Sequence, residues 1–457
     1  MNFSIIKKSQ LEGNSRLDAE YYQPEYLDIK KTLQKFNSLT IKELIRRPVV
    51  TGSTPKIRDC KNDGTDIKFI KTDTLRDGEI IFDYADCLPK DKNREISQLK
   101  DGDVIVTIIG ATYDIVGRSA LVFDNDPLMN INQNIALIRP NENITPAYLE
   151  TFLRGKYGRL QLWQQSRQTE QVNLNCREVE NVLVPLFPKH FQNSIALLIK
   201  ESRVQKLLAN KFNENAENLL LKELGLEDFK PKEDLSFVIN FSEVEKANRM
   251  DANYFQPKYA EILERIKNTN GKKLEDLASI KKGIEPGSEA YQEKGKHFIR
   301  VSSLSKNGID NKDQKYLSED LYQQLKADFK PKVGEIILTK DATPGVAFVI
   351  KENIEGIISG GILRLQLKEE IEPEYLALCL NSIIGKMQAE KDCGGSIIIH
   401  WRPEQIKNVS IPILPKNTQQ KIADLVRKSH EARKKSKELL NEAKRKVEEM
   451  IEKGDKK

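Results

Sequence analysis

The amino-acid sequence predicts an α+β fold made of two homologous α/β domains, related by pseudo-twofold symmetry and separated by two long antiparallel helices that form a coiled coil. Three observations predict it. A phrase of eleven residues occurs twice, further matches between the two halves follow in the same order, and a heptad pattern closes each half.

The repeated phrase opens each half. RLDAEYYQPEY begins at Arg16 and RMDANYFQPKY begins at Arg249, an offset of 233 residues, with seven of the eleven letters identical. Each copy contains a proline that suits the first position of a helix, and an apolar stripe at helical spacing follows it. A short helix is therefore expected at the start of each half. The prolines are Pro24 and Pro257, and the stripes are Tyr26, Ile29 and Leu33, then Tyr259, Ile262 and Ile266.

Further matches follow the phrase. After position 130 the offset settles at 227 residues, since 371 − 144 and 411 − 184 give the same difference. Short β-branched runs broken by Gly, Asp and Asn predict strands and turns between the helices. The period is too long for a solenoid, and two copies of a whole domain, about 1–224 and 225–457, suggest an internal pseudo-twofold. The matched runs are FIKTDTL and FIRVSSL from Phe69 and Phe298, ITPAYLETFL and IEPEYLALCL from Ile144 and Ile371, and VPLFP and IPILP from Val184 and Ile411.

A long helix with apolar or small residues at alternating spacings of three and four closes each half. This spacing is typical of a coiled-coil seam, and small seam residues allow two helices to approach closely. The alternative is two unrelated amphipathic helices, each packed on its own domain. The predicted seam is Ile195, Leu198, Ser202, Ala209 and Phe212 in the first helix, and Ile422, Leu425, Ser429, Ala432 and Leu439 in the second.

The length of these helices has a geometric consequence. A helix of about 30 residues is about 45 Å long. At about 3.4 Å per base pair, domains at its two ends would lie roughly 13 base pairs apart, which suits two major-groove readers on one face of a duplex. The periodicity indicates a spacer, but it does not show that DNA is what the spacer measures.

Composition restricts the class of protein. The net charge of +6 and the pI near 8.7 permit a nucleic-acid partner without requiring one. The five cysteines form no C-x-x-C pair, so reduced thiols and a cytoplasmic location are expected. The apolar run Asp103 to Ala111 is too short to span a bilayer and predicts a buried strand.

Catalytic and metal-binding motifs are missing from the sequence. Walker A, G-x-G-x-x-G and H-E-x-x-H patterns are absent, and so is an Asn-Pro-Pro-Tyr type tetrapeptide. Lys340 and Asp341 follow a predicted strand and suggest either part of a nuclease site or, more simply, a turn that carries surface charge. We therefore expect a binding scaffold with no catalytic residues and no metal site.

The ordered repeat resembles the specificity subunit of type I restriction–modification systems over nearly the whole chain. The runs that carry the resemblance are RLDAEYYQP and RMDANYFQP, KGIEPGSEAY from Lys282, GEIILTKDATPGVAFVI from Gly334, SGGILRLQL from Ser359, and the closing VPLFPKHFQNSIALLI and IPILPKNTQQKIADLV. The resemblance implies a non-catalytic subunit that reads a bipartite, asymmetric sequence in double-stranded DNA.

The resemblance also implies partners and cofactors. Two copies of a modification methyltransferase that uses S-adenosylmethionine would dock on the helices, and restriction subunits would add translocation driven by ATP and Mg. None of these cofactors would be bound by this chain. The implied segments are a first target recognition domain at 1–188, a spacer helix at 189–224, a connector at 225–248, a second recognition domain at 249–415, and a second spacer helix with the C-terminal tail at 416–457.

Candidate DNA contacts follow from the chemistry of base and phosphate recognition. Amides suit adenine and guanidinium or ammonium groups suit guanine, whereas phosphate contacts position the duplex. The candidates for base contacts are Gln133, Asn134, Arg167, Gln168 and Gln171 in the first half, and Lys340, Ser396, His400 and Arg402 in the second, with Trp401 as a stacking or packing neighbour. The candidates for phosphate contacts are Lys56, Arg58, Lys71, Arg76, Arg118, Lys281, Lys282 and Arg300.

Two other classes of function stay open at this point. A self-sufficient methyltransferase or nuclease would modify or cut DNA without partners. A coiled-coil scaffold with no DNA role would show no salt-sensitive binding to a duplex.

Overall fold

A computed structural model describes residues 4–8, 11, 17–54, 67–76, 78–166, 172–310, 314–368, 370–393 and 399–455. The chain divides into two compact units. Unit 1 comprises Met1–Gln205 and Lys434–Lys457, and unit 2 comprises Lys206–Arg433.

The helices begin where the repeated sequence predicts them. Both short opening helices start at the expected prolines, Pro24 and Pro257, and each half closes with a long helix. The helices are α1 (Pro24–Gln34), α2 (Pro146–Arg154), α3 (Lys156–Gln165), α4 (Cys176–Glu180), α5 (Lys189–Glu223), α6 (Phe241–Ala247), α7 (Pro257–Lys267), α8 (Leu274–Leu277), α9 (Glu319–Phe329), α10 (Pro373–Asn381), α11 (Ile383–Asp392), α12 (Pro403–Lys407) and α13 (Lys416–Asp455).

Short strands fill the region between the helices, as the β-branched runs predict. In unit 1 they are β1 (Ser38–Thr40), β2 (Val50–Thr51), β3 (Ile67–Ile70), β4 (Leu75–Arg76), β5 (Glu79–Ile80), β6 (Asp86–Leu88), β7 (Val104–Thr107), β8 (Ile109–Gly110), β9 (Ser119–Leu121), β10 (Met129–Ile131), β11 (Ile135–Ile138), β12 (Val172–Asn173) and β13 (Leu183–Pro185). In unit 2 they are β14 (Lys272–Lys273), β15 (Ala278–Lys282), β16 (Lys296–Ile299), β17 (Leu304–Ser305), β18 (Gly308–Ile309), β19 (Lys315–Leu317), β20 (Ile336–Thr339), β21 (Ala347–Val349), β22 (Gly356–Ile358), β23 (Ile362–Leu367) and β24 (Ser410–Ile411).

The two units share one sheet plan. Unit 1 has a four-stranded sheet in the order β2-β11-β7-β9, and unit 2 has β15-β23-β20-β21, both antiparallel. Each unit also has a three-stranded sheet with one parallel pair, β10 with β3 and β22 with β16. The antiparallel pairs β1-β13 and β14-β24 join the first strand of each half to the last. The internal repeat seen in the sequence is therefore also a repeat of topology.

The hydrophobic core of each unit surrounds one central strand, β7 in unit 1 and β20 in unit 2. These strands lie in the GDVIVT and GEIILT runs of the sequence. All four residues of β7 and all four of β20 are buried. Each of these strands lies between two other strands of its sheet, and side chains cover both faces of the sheet. The predicted buried strand around Asp103 is thus β7. Cys87, Cys176, Cys379 and Cys393 are free thiols. Within the described ranges, none of the helices combines the length and the apolar character needed to cross a membrane.

Buried glutamines fasten corresponding elements in the two units. The side chain of Gln161 bonds both backbone groups of Leu183, at 2.9 and 3.0 Å, and Gln388 does the same to Ser410, at 2.8 and 2.9 Å. Each glutamine thus ties a helix to the last strand of its unit. Unpaired buried backbone groups are costly, so these amides stabilise the fold more than an exposed amide does.

We expect Gln388→Ala to lower the free energy of unfolding by about 1–3 kcal/mol, because it leaves the backbone groups of Ser410 unpaired. Urea denaturation measures the change. Gln324→Ala, at an exposed position of α9, is the matched control and should change stability by less than about 0.5 kcal/mol. Equal losses for both variants would contradict the role given to Gln388.

The two long helices pair antiparallel within each unit. In unit 1 the hydroxyls of Ser202 and Ser436 lie 2.9 Å apart. In unit 2 the hydroxyl of Ser429 donates to the carbonyl of Ala209 at 2.7 Å. The numbers 202 and 436 add to 638, as do 209 and 429, so both pairings follow one antiparallel register.

Most of the buried seam residues are spaced by seven. Ile195, Ser202, Ala209, Ile422 and Ser429 are buried. Of the other predicted seam residues, Ala432 is buried, whereas Leu198, Phe212, Leu425 and Leu439 are half-buried. Buried residues next to the predicted seam also pack on the hydrophobic core of their own unit. Within each unit, the segments of the long helices therefore contact both that core and each other. These residues are Ile199, Leu440 and Val447 in unit 1, and Leu220 and Val426 in unit 2.

Candidate nucleic-acid interface

A turn at 132–134, between β10 and β11, is the centre of the candidate interface in unit 1. Its backbone is fixed by three neighbouring segments. The N–H of Asn132 donates to Ile70 at 3.1 Å, the carbonyl of Asn132 accepts from Gly52 at 3.2 Å, and the carbonyl of Asn134 accepts from Ile108 at 2.9 Å. We call this turn with its three anchoring segments the loop platform.

Unit 2 builds the same platform from the turn at 359–361. The N–H of Ser359 donates to Ile299 at 2.8 Å, and the carbonyl of Gly361 accepts from Lys340 at 2.9 Å. These bonds correspond to those of Asn132 and Asn134 in unit 1. Two of the three anchoring bonds are therefore conserved between the units, whereas the third differs, since the N–H of Gly283 donates to the carbonyl of Ile362 at 3.0 Å.

A glycine in the TGSTP and KGIEP runs lets the chain pass close to each platform. A Cβ atom on Gly52 would lie 1.7 Å from the carbonyl oxygen of Ile131, and one on Gly283 would lie 2.2 Å from that of Ser359. No side chain fits at either position. The repeated glycine is thus explained by close approach of two backbones.

A second pair of positions lies directly beside each platform, and we call it the strand-edge bridge. In unit 1, Asn173 pairs with Ile109 through β12 and β8. In unit 2, His400 pairs with Asp341 as a single antiparallel bridge. The residue after the bridge is buried and bonds back to the platform strand, Leu174 to Ile108 at 2.9 Å and Trp401 to Lys340 at 2.8 Å. Trp401 is therefore a core residue that holds the bridge in place.

The bridge of unit 2 contains a cluster of three charged or titratable side chains. The ammonium of Lys340 donates to Asp341 Oδ2 at 2.6 Å, and His400 Nδ1 lies 2.7 Å from Asp341 Oδ1. Burial opposes ionisation of Asp341, but the hydrogen bonds from Lys340 and His400 prevail and hold its pKa below the ordinary value. Lys340 is only 8% exposed, so its ammonium serves Asp341 rather than facing solvent.

The structure brings three of the predicted residues of the first half to the platform. Gln133 is exposed and accepts a hydrogen bond from the hydroxyl of Thr54. The backbone N–H of Asn134 donates to Asn132 Oδ1 at 3.1 Å. Lys71 directly follows Ile70, and its ammonium lies 3.0 Å from the carboxylate of Asp86.

Arg76 and Arg118 form a separate pair in unit 1. The guanidinium of Arg118 donates to the carbonyls of Asp114 at 2.6 Å and Leu75 at 3.5 Å. Leu75 precedes Arg76, whose guanidinium lies 5.0 Å from the ring centroid of Tyr84. These contacts keep both cations close to the same strand pair, β4 and β5.

Predicted residues of the second half surround the platform of unit 2. Lys282 precedes Gly283, and Arg300 follows Ile299, so both flank anchoring segments. Lys281 and Lys282 are exposed on β15. Arg402 is exposed, and its backbone N–H donates to Gln405 Oε1 at 3.0 Å where α12 begins.

The predicted contacts and the residues beside the platforms overlap only in part. The sequence does not predict Asn173 or Asp341 as a DNA contact, yet the bridge places both beside the platform. The offset of 227 residues aligns Asn173 with the predicted contact His400. This alignment is the sequence signal that points to Asn173. The predicted contacts that lie outside the described residues are Lys56, Arg58, Arg167, Gln168, Gln171 and Ser396.

Residues 266–445 match the family model of the Type I restriction modification DNA specificity domain. This match confirms the resemblance inferred from the sequence. It covers most of unit 2, whose sheet order is repeated in unit 1.

A curated relative agrees with the domain match. The Type I restriction enzyme EcoBI specificity subunit of Escherichia coli is 29% identical over 167 residues, which are 36% of this chain and 32% of that subunit. The chain thus matches about a third of the length of this relative.

Solved structures of specificity subunits are also similar along most of the chain. The Type-I restriction-modification system S subunit from M. genitalium has a TM-score of 0.40 and 13% identity, and the comparison covers 92% of this chain and 96% of that one. The HsdS subunit from Thermoanaerobacter tengcongensis has a TM-score of 0.29 and 16% identity over 91% and 96% of the two chains. At these TM-scores the similarity does not by itself establish a shared fold.

Proposed function

We propose that this chain is the non-catalytic sequence-recognition subunit of a type I restriction–modification complex and reads a bipartite, asymmetric target in double-stranded DNA. The observation that carries the proposal is the specificity domain at 266–445, together with the repeat of its sheet order in unit 1. Two copies of one reader suit a target with two half-sites.

The platforms support the assignment of two different half-sites. Two of the anchoring hydrogen bonds are equivalent in the two units, so the two turns present their side chains from a similar scaffold. The side chains themselves differ, with Asn132, Gln133 and Asn134 in unit 1 and Ser359, Gly360 and Gly361 in unit 2. Base recognition depends on side-chain donors and acceptors, so unlike platforms would select unlike sequences.

The paired helices support a spacer between the two readers. We propose that α5 and α13 form an antiparallel coiled coil and that the two recognition domains are related by pseudo-twofold symmetry about it. The buried seam residues are small at Ser202, Ala209 and Ser429, which suits close packing of two helices. In this scheme the recognition domains are 1–188 and 249–415, the spacer helices are 189–224 and 416–457, and 225–248 connects them.

The proposal assigns the chemistry to partners. Two modification methyltransferase subunits would dock on this chain and use S-adenosylmethionine, and restriction subunits would use ATP and Mg. The chain would work in the cytoplasm, where its DNA substrate and these partners meet. The purified chain alone is then expected to bind DNA without methylating or cutting it.

Salt-dependent binding of the full chain to duplex DNA tests the proposed interface. Replacing Lys281 and Lys282 by Gln removes two exposed cations beside the platform of unit 2. If both contact phosphates, the slope of log K against log salt becomes shallower by about 1.8, since each phosphate contact contributes about 0.9. Fluorescence anisotropy at several salt concentrations measures the slope.

A matched control removes the same charge elsewhere in unit 2. Lys272 and Lys273 are also exposed adjacent lysines, but they lie on β14, outside the platform. Replacing both by Gln should leave the slope within about 0.5 of the wild-type value. Equal slopes for the two double variants would contradict the interface, and methyl transfer by the purified chain would favour the self-sufficient enzyme instead.

A further inference from the structure

The strand-edge bridge is a place where the two units differ in chemistry on an equivalent backbone. Unit 1 sets an exposed amide, Asn173, opposite an aliphatic side chain, Ile109. Unit 2 sets an exposed imidazole, His400, opposite a carboxylate, Asp341. The backbone bonds that follow each bridge are the same, so the difference lies in the side chains alone.

The carboxylate of Asp341 is prepared to accept further hydrogen bonds. Lys340 bonds one of its oxygens and His400 bonds the other, while a carboxylate has about four lone-pair sites. Among the described residues, only Lys340 and His400 bond the side chain of Asp341, so two of its acceptor sites remain. The side chain is 21% exposed, so it is accessible from solvent at one edge.

The platform of unit 2 leaves the approach to this carboxylate open. The turn contains Gly360 and Gly361, which have no side chains, where unit 1 has Gln133 and Asn134. A Cβ atom on Gly361 would already lie 3.4 Å from Asp341 Oδ2. The same Cβ atom would lie 2.8 Å from Val301 Cγ2, so a side chain at 361 would crowd both Val301 and the carboxylate.

The charge of the cluster also suits a position next to DNA. An isolated carboxylate would be repelled by phosphates, which dominate the field of a duplex. Lys340 compensates the negative charge of Asp341 at 2.6 Å, so a carboxylate can be presented to a base edge without a net negative charge. This explains why Lys340 is nearly buried instead of reaching toward solvent.

We propose that the strand-edge bridge determines base specificity in both units, with Asp341 accepting a hydrogen bond from the amino group of cytosine and Asn173 bonding the edge of adenine. These pairings are the ones that carboxylates and amides favour in the major groove. Lys340 and His400 are positioning residues that orient the carboxylate. The inference rests on the proposed function, since it names the residues through which that DNA recognition would occur.

Selection of duplexes from a random DNA library by the full chain tests the inference. Wild-type protein is compared with Asp341→Asn and Asn173→Ala. Asp341→Asn is expected to reduce the preference for a C·G pair in one half-site about tenfold, and Asn173→Ala to reduce the preference for an A·T pair in the other about tenfold. Each variant should leave the half-site of the other unit unchanged.

Matched exposed positions provide the controls. Glu352→Gln in unit 2 and Asn143→Ala in unit 1 remove a carboxylate and an amide away from the bridges and should select the wild-type sequence. Asp341→Glu keeps the charge but displaces it by one methylene, and should weaken binding while still selecting cytosine. If Asp341→Asn melts at a lower temperature than wild type, the Asp341→Glu variant decides whether Asp341 determines base specificity.

The outcomes separate the two proposals. If wild-type protein enriches a bipartite sequence and both bridge variants enrich the same one, the bridge does not determine specificity, although the proposed function stands. If Asp341→Asn loses preference in both half-sites together, Asp341 supports the fold and the inference is also wrong. If wild-type protein enriches no sequence at all, the proposed function itself fails.

Discussion

If the proposed function holds, exchanging residues 37–188 for the same region of a type I specificity subunit is expected to change one half of the recognised DNA sequence and to leave the other half as it was. The exchanged region contains the sheets, the platform and the strand-edge bridge of unit 1. It contains none of the platform residues of unit 2. Recognition by the second reader should therefore persist.

The structure indicates why these boundaries suit an exchange. The two ends of the region meet, since the N–H of Leu186 donates to the carbonyl of Asn37 at 2.8 Å and Ser38 pairs with Pro185. The boundaries of the exchanged region lie after α1, which ends at Gln34, and before α5, which begins at Lys189. A transplanted region can therefore close its own sheet without altering either long helix.

Sequencing of methylated adenines in cells that carry the exchanged chain and the proposed modification partner measures the result. Exchanging 271–415, where Lys272 pairs with Ile411 in the same manner, is the matched control and should change the opposite half. A change in both halves after either exchange would refute the model of two independent readers.

Inserting one heptad into each long helix is expected to lengthen the gap between the half-sites by about three base pairs. Seven helical residues add about 10 Å, and B-DNA rises about 3.4 Å per base pair. Insertions after Gln205 and after Arg433 fall between seam residues on both helices. They preserve the register in which Ser202 meets Ser436 and Ala209 meets Ser429.

The control for this prediction is a heptad in one helix only. It would shift Ser202 and Ser436 out of register with the remaining pairs, so we expect loss of stable folding or of DNA binding rather than a longer gap. An unchanged gap after the double insertion would show that the helices do not set the distance between half-sites.

The repeat and its helices were predictable because they depend on local patterns. Proline at the first helical position located α1 and α7, and the three–four spacing located α5 and α13. The shared sheet order was implied by the repeat, but the pairing partners were not. Parallel pairing of β3 with β10 joins segments about sixty residues apart, and no local pattern encodes it.

The candidate contacts were only partly predictable. Sequence chemistry selected Lys340 as a donor to guanine, yet its ammonium is held by Asp341 and is nearly buried. Whether a lysine after a strand faces solvent or an adjacent carboxylate depends on the tertiary bridge between Asp341 and His400. The sequence does not single out Asn173, because its relation to the platform arises from the pairing of β12 with β8.

Mapping methylated adenines across the genome of the host, with the gene present and deleted, tests the central claim most directly. The account predicts methylation in a sequence with two unlike half-sites and an unspecified gap, and loss of that methylation when this chain is removed. A single uninterrupted motif, or methylation that persists without the chain, would contradict it.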